Sequence, residues 1–169
     1  SPNKEIQEKI KQFNNVRYIY RGKKLGRGSA VIEGMKTLIK EEKINKIVEM
    51  DADLSHSPRE IENNLKIFEK NDLDLLISSR YLRDSRIINW GLQRRIFSSL
   101  ANKLAKFVLK IPITDYTNGF RIYSKKSMKH IVENCGNIGG GFIILSEILV
   151  ELYFNNFKVD EVHSIFRNR

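Results

Sequence analysis

An α/β fold, with a mostly parallel central sheet flanked by helices, is the class the sequence predicts. Three observations carry that expectation. Stretches with helical spacing alternate with short β-rich runs as far as residue 79, the order that crossover helices impose on a parallel sheet. One run, residues 44–50, ends at Asp51-Ala52-Asp53, which sets two carboxylates where a strand stops and the chain turns. The rim outside the carboxyl ends of strands is where open α/β sheets bind ligands. Finally, 169 residues with 41% hydrophobic and 30% charged side chains suit one soluble domain with its own core.

The elements follow in order. Ile6, Ile10 and Phe13 make one apolar stripe and predict a helix over 3–13. Val16 to Tyr20 alternates and predicts a strand. Arg21 to Ala30 is a basic, glycine-punctuated loop that opens a helix bearing Val31, Ile32, Met35, Leu38 and Ile39 on one face. With Gly26 and Gly28 at its start, that loop is either a solvated turn or a cradle for phosphate on backbone N–H groups. After the Asp51–Asp53 strand end, Ser57-Pro58-Arg59-Glu60 reads as a capping box, and Ile61, Leu65 and Phe68 form the buried stripe of a helix. Residues 73–79 read as a buried strand closed by Arg80-Tyr81.

Over 93–110, Ile96, Phe97, Leu100, Leu104, Phe107 and Val108 share one helical arc, and Arg94, Arg95, Lys103, Lys106 and Lys110 fill the other. A core-packed apolar face is the simpler expectation; a basic amphipathic helix on an anionic membrane is the alternative. Arg94 and Arg95 fall in the first turn, where the helix dipole disfavours cations, so an anion there would relieve them. Pro112 stops this helix. Residues 115–123 supply a polar loop and short strand, 125–133 a short helix, Gly139–Gly141 a hinge, 142–154 a helix apolar nearly all round, and 158–166 a last strand.

A net charge of +10 points to polyanionic partners or to a Lys-rich proteome. No apolar run approaches the roughly 20 residues of a membrane span. The single cysteine, Cys135, excludes an internal disulfide and a Cys-based zinc cluster. His56, His130 and His163 match no metal spacing and read as structural or solvated, with His56 beside the acidic pair the one of interest. Two neighbouring carboxylates repel, and a hard divalent cation with oxygen ligands relieves that repulsion.

The pieces then line up. Gly26-x-Gly28-Ser29-Ala30, Asp51-Ala52-Asp53-Leu54-Ser55-His56-Ser57-Pro58, Ser79-Arg80-Tyr81, Trp90 to Arg95 and Asp115-Tyr116-Thr117-Asn118-Gly119-Phe120-Arg121 occur in that order. The string resembles the dolichol-phosphate mannosyltransferase branch of the family 2 glycosyltransferases, from about residue 21 onward. The resemblance implies the A-type glycosyltransferase fold. It also implies transfer of a sugar, most often mannose from GDP-mannose, to a polyprenyl or dolichyl phosphate. It puts Mg²⁺ or Mn²⁺ on Asp51 and Asp53, with Ser55 standing where some relatives carry a Gln ligand. Phosphate grips fall on Arg80, Arg94, Ser98 and Arg169, with Gly26, Gly28 and Arg121 on the donor side. Asp53, Asp115 and Arg94 are the expected catalytic set, Asp115 orienting an arginine or the sugar.

By the same resemblance, residues 1–169 are one catalytic domain lacking the first strand and much of the base pocket, hence a fragment. The expected place of work is the cytoplasmic face of a membrane, peripherally held through helix 93–110, with or without an anchoring subunit. UDP-glucose as donor is an alternative. So is a sugar nucleotidyltransferase, which would need a triphosphate loop. A basic nucleic-acid-binding module is a remote third class, since no binding motif or basic face with stacking aromatics is found.

Overall fold

A computed structural model describes residues 4–23, 25–138 and 141–168. Six helices are described: α1 (Lys4–Ile10), α2 (Gly26–Leu38), α3 (Glu60–Lys70), α4 (Leu92–Leu109), α5 (Lys125–Asn134) and α6 (Ile143–Phe154). The strands are β1 (Lys46–Glu49), β2 (Leu75–Ser79), β3 (Arg86–Ile88), β4 (Arg121–Ser124), β5 (Val159–His163) and β6 (Ile165–Arg167). The main sheet runs β1-β4-β2-β5, and β3 pairs with β6 in a separate two-stranded ribbon.

The α/β architecture is borne out, and the sheet is mixed. β4 is antiparallel to both β1 and β2, whereas β2 and β5 are parallel. β1, β2 and β5 therefore share one direction, and the departure from a parallel sheet is the inserted β4. This arrangement decides where the site lies. Glu49 and Ile77 both register with Arg121, and Ser79 registers with His163. The carboxyl ends of β1, β2 and β5 and the amino end of β4 thus meet at one rim.

Apolar burial explains the layers. β2 is buried along its whole length. Its alternating side chains divide between two cores: Leu75 and Ile77 pack with α2, α5 and α6 residues such as Met35, Ile131 and Leu149, and Leu76 packs with Phe68, Ile122 and Val162. The continuous hydrophobicity of 142–154 has the expected cause: Ile144, Leu145, Ile148, Leu149 and Leu152 are all inaccessible. Ser124 caps α5 by accepting from Ser127 N at 3.1 Å.

Other expectations fail for identifiable reasons. Residues 16–20 are not a strand: among the described residues no strand lies against them, and Val16, Tyr18, Ile19 and Tyr20 are exposed. The helix expected over 3–13 is the shorter α1; Ile10 is half-buried and Phe13 is exposed, while the Ile6 side chain lies outside the described set. The capping box does not form. Glu60 instead accepts from Ser164 Oγ at 2.6 Å and Ile165 N at 3.2 Å, so a tertiary contact wins over a local one. The last strand breaks at buried Ser164 into β5 and β6. Of the glycine hinge, Gly139 and Gly140 lie outside the described residues.

The largest correction concerns α4. Its apolar arc does not pack on the core: Phe97 is 72% and Phe107 80% exposed, and Ile96, Leu100, Leu104 and Val108 are exposed with them. The inward stripe is Ser98, Asn102, Ala105 and Leu109 instead. Asn102 is held there because its Oδ1 accepts from Tyr116 N at 2.8 Å and its Nδ2 donates to Ser98 O at 2.8 Å. The helix ends at Lys110, whose φ of 55° breaks it before Pro112. Among the described residues, no helix is long and apolar enough to cross a membrane.

Candidate active site

The rim gathers four pieces of chain. The acidic loop leaves β1, turns at Leu54 with φ 64°, and is pinned where Asp53 accepts from Ser55 N at 3.0 Å. Arg167 N donates to Ser55 O at 2.9 Å, and His56 bridges to Phe166, so β6 straps this loop down. Ser55 Oγ is buried with no partner among the described residues.

Asp51 is engaged already. Arg27, from the first turn of α2, donates Nη1 to Asp51 Oδ1 at 2.5 Å and Nη2 to Glu49 Oε1 at 2.7 Å. Burial works against the Arg27 charge, and the two carboxylates more than offset it, holding its pKa above the usual arginine value. Arg27 also lies flat against Gly119: a Cβ there would sit 1.9 Å from Nη2. The Asn-Gly in the second motif is thus a close approach, not only a turn. Gly26 and Gly28 lie inside the first turn of α2, with Gly28 buried, while Arg21 donates to Ser29 Oγ at 2.7 Å.

Past β2, Arg80 and Asp115 form a buried, two-pronged pair: Nε to Oδ2 at 2.7 Å and Nη2 to Oδ1 at 2.8 Å. Asp115, wholly inaccessible, also accepts from the backbone N–H groups of Arg80, Thr117 and Asn118. Burial opposes the Arg80 charge, but Asp115 keeps its pKa above the ordinary value. With its lone pairs taken up, Asp115 is a fixed counter-ion and has no room to act as a base. Arg80 Nη1 makes no hydrogen bond among the described residues. Its guanidinium carbon lies 5.3–5.7 Å from the ring centres of Trp90, Tyr81 and Phe166.

Arg94 is exposed at the start of α4, 4.4 Å over the Trp90 ring. Ser98, one turn on, accepts from Tyr81 Oη at 2.6 Å. Between the 80–87 segment and α4 lies a groove of about 460 Å³, lined by Arg80, Arg95 and Lys103 together with Ile87, Ile96 and Leu100. A groove with cations along it, Arg80, Arg95 and Lys103, beside an apolar wall suits an amphiphile with an anionic head.

Arg121, expected on the donor side, is turned into the interior. It is fully buried and donates to the carbonyls of Asn118 at 2.8 Å, Leu145 at 2.7 Å and Tyr116 at 2.9 Å, which leaves no face for a phosphate. Arg169 lies outside the described residues. His56 is buried between Phe120 and Phe166, with no partner for either ring nitrogen among the described residues. Burial, then the Arg80 charge, lowers its pKa and keeps it neutral. Sequence reading missed Arg27, Trp90 and Phe166. Arg27 stood inside a loop whose cations were read together as a phosphate cradle and not as partners of the acidic pair, and aromatic residues carry no spacing signal for a cation platform.

A mixed α/β sheet with an acidic loop and paired arginines at one rim defines a class of nucleotide-sugar-handling folds, and sequence comparison agrees. The glycosyl transferase family 2 profile matches residues 1–132, and the chain belongs to that family. The resemblance read from the motifs is therefore borne out. Among curated relatives, the polyprenol monophosphomannose synthase of Mycolicibacterium smegmatis is 30% identical over 156 residues, covering 92% of this chain and 58% of the relative. The dolichol-phosphate mannosyltransferase of Pyrococcus furiosus is 36% identical over 153 residues, covering 89% of this chain and 40% of the relative. The chain thus spans about half the length of these relatives. A solved mycobacterial structure superposes with a TM-score of 0.55 at 14% identity, over 92% of this chain and 47% of that one, a likeness of fold.

Proposed function

We propose that the chain is catalytic-domain sequence, residues 1–169, of an enzyme that transfers a sugar from a nucleoside-diphosphate sugar, GDP-mannose by preference, to a polyprenyl or dolichyl phosphate. The observation that carries the reading is the groove beside Arg80. Arg80, Arg95, Lys103 and the apolar wall match a lipid phosphate, and Phe166, beside the Arg80 guanidinium and bridged to His56, links this groove to the acidic loop where a diphosphate would lie. The chain's likeness to a polyprenol monophosphomannose synthase and a dolichol-phosphate mannosyltransferase supports mannose as the sugar and a lipid phosphate as the acceptor.

A phosphate monoester has a second pKa of about 6 and is largely dianionic at neutral pH. It needs no general base, which accords with the saturated Asp115 and the buried, neutral His56. Its difficulty is meeting a second anion. Arg94 and Nη1 of Arg80 hold the acceptor phosphate through guanidinium N–H groups; Ser98 and Tyr81 flank it. Asp115 positions Arg80. One phosphate oxygen then bonds to the sugar's anomeric carbon as the bond to the donor diphosphate breaks. The nucleoside diphosphate leaves with that electron pair, and the anomeric centre inverts. The first turn of α2, with Gly26 and Gly28, offers backbone N–H groups toward donor phosphate.

Among the described residues, no group of three or more His, Cys, Asp and Glu side chains forms a metal cluster. Asp51, Asp53 and the orphaned Ser55 hydroxyl are hard oxygen donors. They fit Mg²⁺ or Mn²⁺ only with further ligands from the donor phosphates. When bound, the cation would neutralise charge on the leaving diphosphate. The outward apolar face of α4 holds the domain at the cytoplasmic face of a membrane, with or without an anchoring subunit.

The test is transfer of labelled mannose from GDP-mannose to a short polyprenyl phosphate by the full-length protein with Mn²⁺. UDP-glucose serves as competing donor and Asp53→Ala as control. Product with an inverted anomeric carbon, and its loss in the variant, are the expected results. Normal transfer by Asp53→Ala, or a trapped glycosyl-enzyme adduct, overturns the mechanism.

A further inference from the structure

We propose that Trp90 is the positioning residue of the acceptor-phosphate site: its indole is the shared platform that sets Arg94 and Arg80 at the spacing of one phosphate group. This inference rests on the reading of those two arginines given above. Two guanidinium groups that share one anion repel each other, and a common neighbour that attracts both offsets that repulsion before the anion arrives. Trp90 lies 4.4 Å from the Arg94 guanidinium and 5.3 Å from that of Arg80, both within the range in which a ring face attracts a cation. The two cations are not equivalent. Arg80 is compensated by Asp115, whereas Arg94 has no carboxylate partner among the described residues. Among the described residues, the ring is the contact that localises Arg94.

The platform is itself braced. Phe166 of β6 meets Trp90 edge-on, with centroids 5.4 Å apart at 68°, and meets His56 in the same way at 5.0 Å and 72°. The row His56–Phe166–Trp90 thus joins the acidic loop to the arginine pair, and so joins the donor side of the reaction to the acceptor side. The Trp90 N–H is buried with no acceptor among the described residues. A buried donor without a partner is costly, and an anion between the two arginines would lower that cost.

Trp90 is the only tryptophan in the sequence, so its emission reports this place alone. The experiment titrates the protein with geranyl phosphate, geraniol and inorganic phosphate, following tryptophan fluorescence and, independently, calorimetry. Geranyl phosphate is expected to change the emission saturably and geraniol is not. Inorganic phosphate should produce the same spectral change at higher concentration if the headgroup is what is sensed. Arg94→Gln should weaken binding about tenfold, the contribution of one well-placed cation. Trp90→Leu should weaken it by a similar factor, with nothing added in the double variant. Trp90→Phe, which keeps a ring face, should recover most of the loss.

In turnover, Trp90→Leu should raise KM for the acceptor while KM for the donor and kcat hold. Calorimetric binding that responds to Arg94→Gln but not to Trp90→Leu, with silent wild-type fluorescence, overturns the platform and leaves the acceptor reading intact. Trp90→Phe as weak as Trp90→Leu also overturns it. Geranyl phosphate binding no better than geraniol overturns the acceptor reading and the platform with it. The wild-type fluorescence titration decides the matter even if Trp90→Leu fails to fold.

Discussion

Asp115 shows how much a residue's role depends on what already occupies its oxygens. Its motif position suggested catalysis; its surroundings make it the fixed partner of Arg80. Replacing it by Asn leaves the Arg80 charge buried without compensation, a change that typically costs about 3–5 kcal/mol. Urea denaturation of Asp115→Asn should show a loss of that order, partly recovered when Arg80 is also made neutral. Cys135 supplies a second residue-scale expectation. Burial, then Glu147 and Glu151, push its thiol up to about 12 from an ordinary value of 9.0. The folded state therefore keeps a proton that the unfolded chain gives up, and this contribution to stability, intact below pH 9, is lost as pH rises toward 12. Cys135→Ala should flatten the alkaline fall in melting temperature, measured by calorimetry across that range. The acidic pair and Arg80 were legible in the sequence because short motifs mark them. The burial of Arg121 was not legible, because a motif does not say which way a long side chain points, and one of its three carbonyl acceptors, Leu145, comes from a helix far along the chain.

At the scale of elements, periodicity located most helices and the buried strands: β2 buries its whole run, α6 the middle of its own, and α3 buries Phe68 with Ile61 and Leu65 half-buried. It failed where a neighbour decides the outcome. β3 and β6 are three-residue strands that exist because they pair with each other, and a pattern that short cannot be told from a loop. For α4, periodicity found the apolar arc but not the side it faces. Ser98 and Asn102 face inward because Tyr81 and Tyr116 need their oxygens; the phenylalanines are left outside. That exposure leads to a direct test. Phe97→Ser with Phe107→Ser should abolish flotation with phosphatidylglycerol vesicles while leaving the melting temperature nearly unchanged, because substitutions at such exposed positions usually fall within about ±0.5 kcal/mol. Flotation of wild type that ignores lipid charge and salt would remove the basic arc from this role.

For the whole molecule, strand direction does the organising. Three strands pointing one way and β4 pointing the other bring segments from residues 51, 80 and 115 to one rim. The sequence carried the pieces in order, but the insertion of β4 between β1 and β2 is a long-range pairing that no local pattern encodes. Arg27 lets that rim keep its shape by itself. It is a captive counter-charge, tethered to the chain and lodged on Asp51 and Glu49, so the acidic loop does not depend on an exchangeable ion to stay assembled. Stripping the protein with EDTA should leave its melting temperature where it was. Arg27→Ala should make that temperature climb with added Mn²⁺, as an imported ion takes over the work of a resident one.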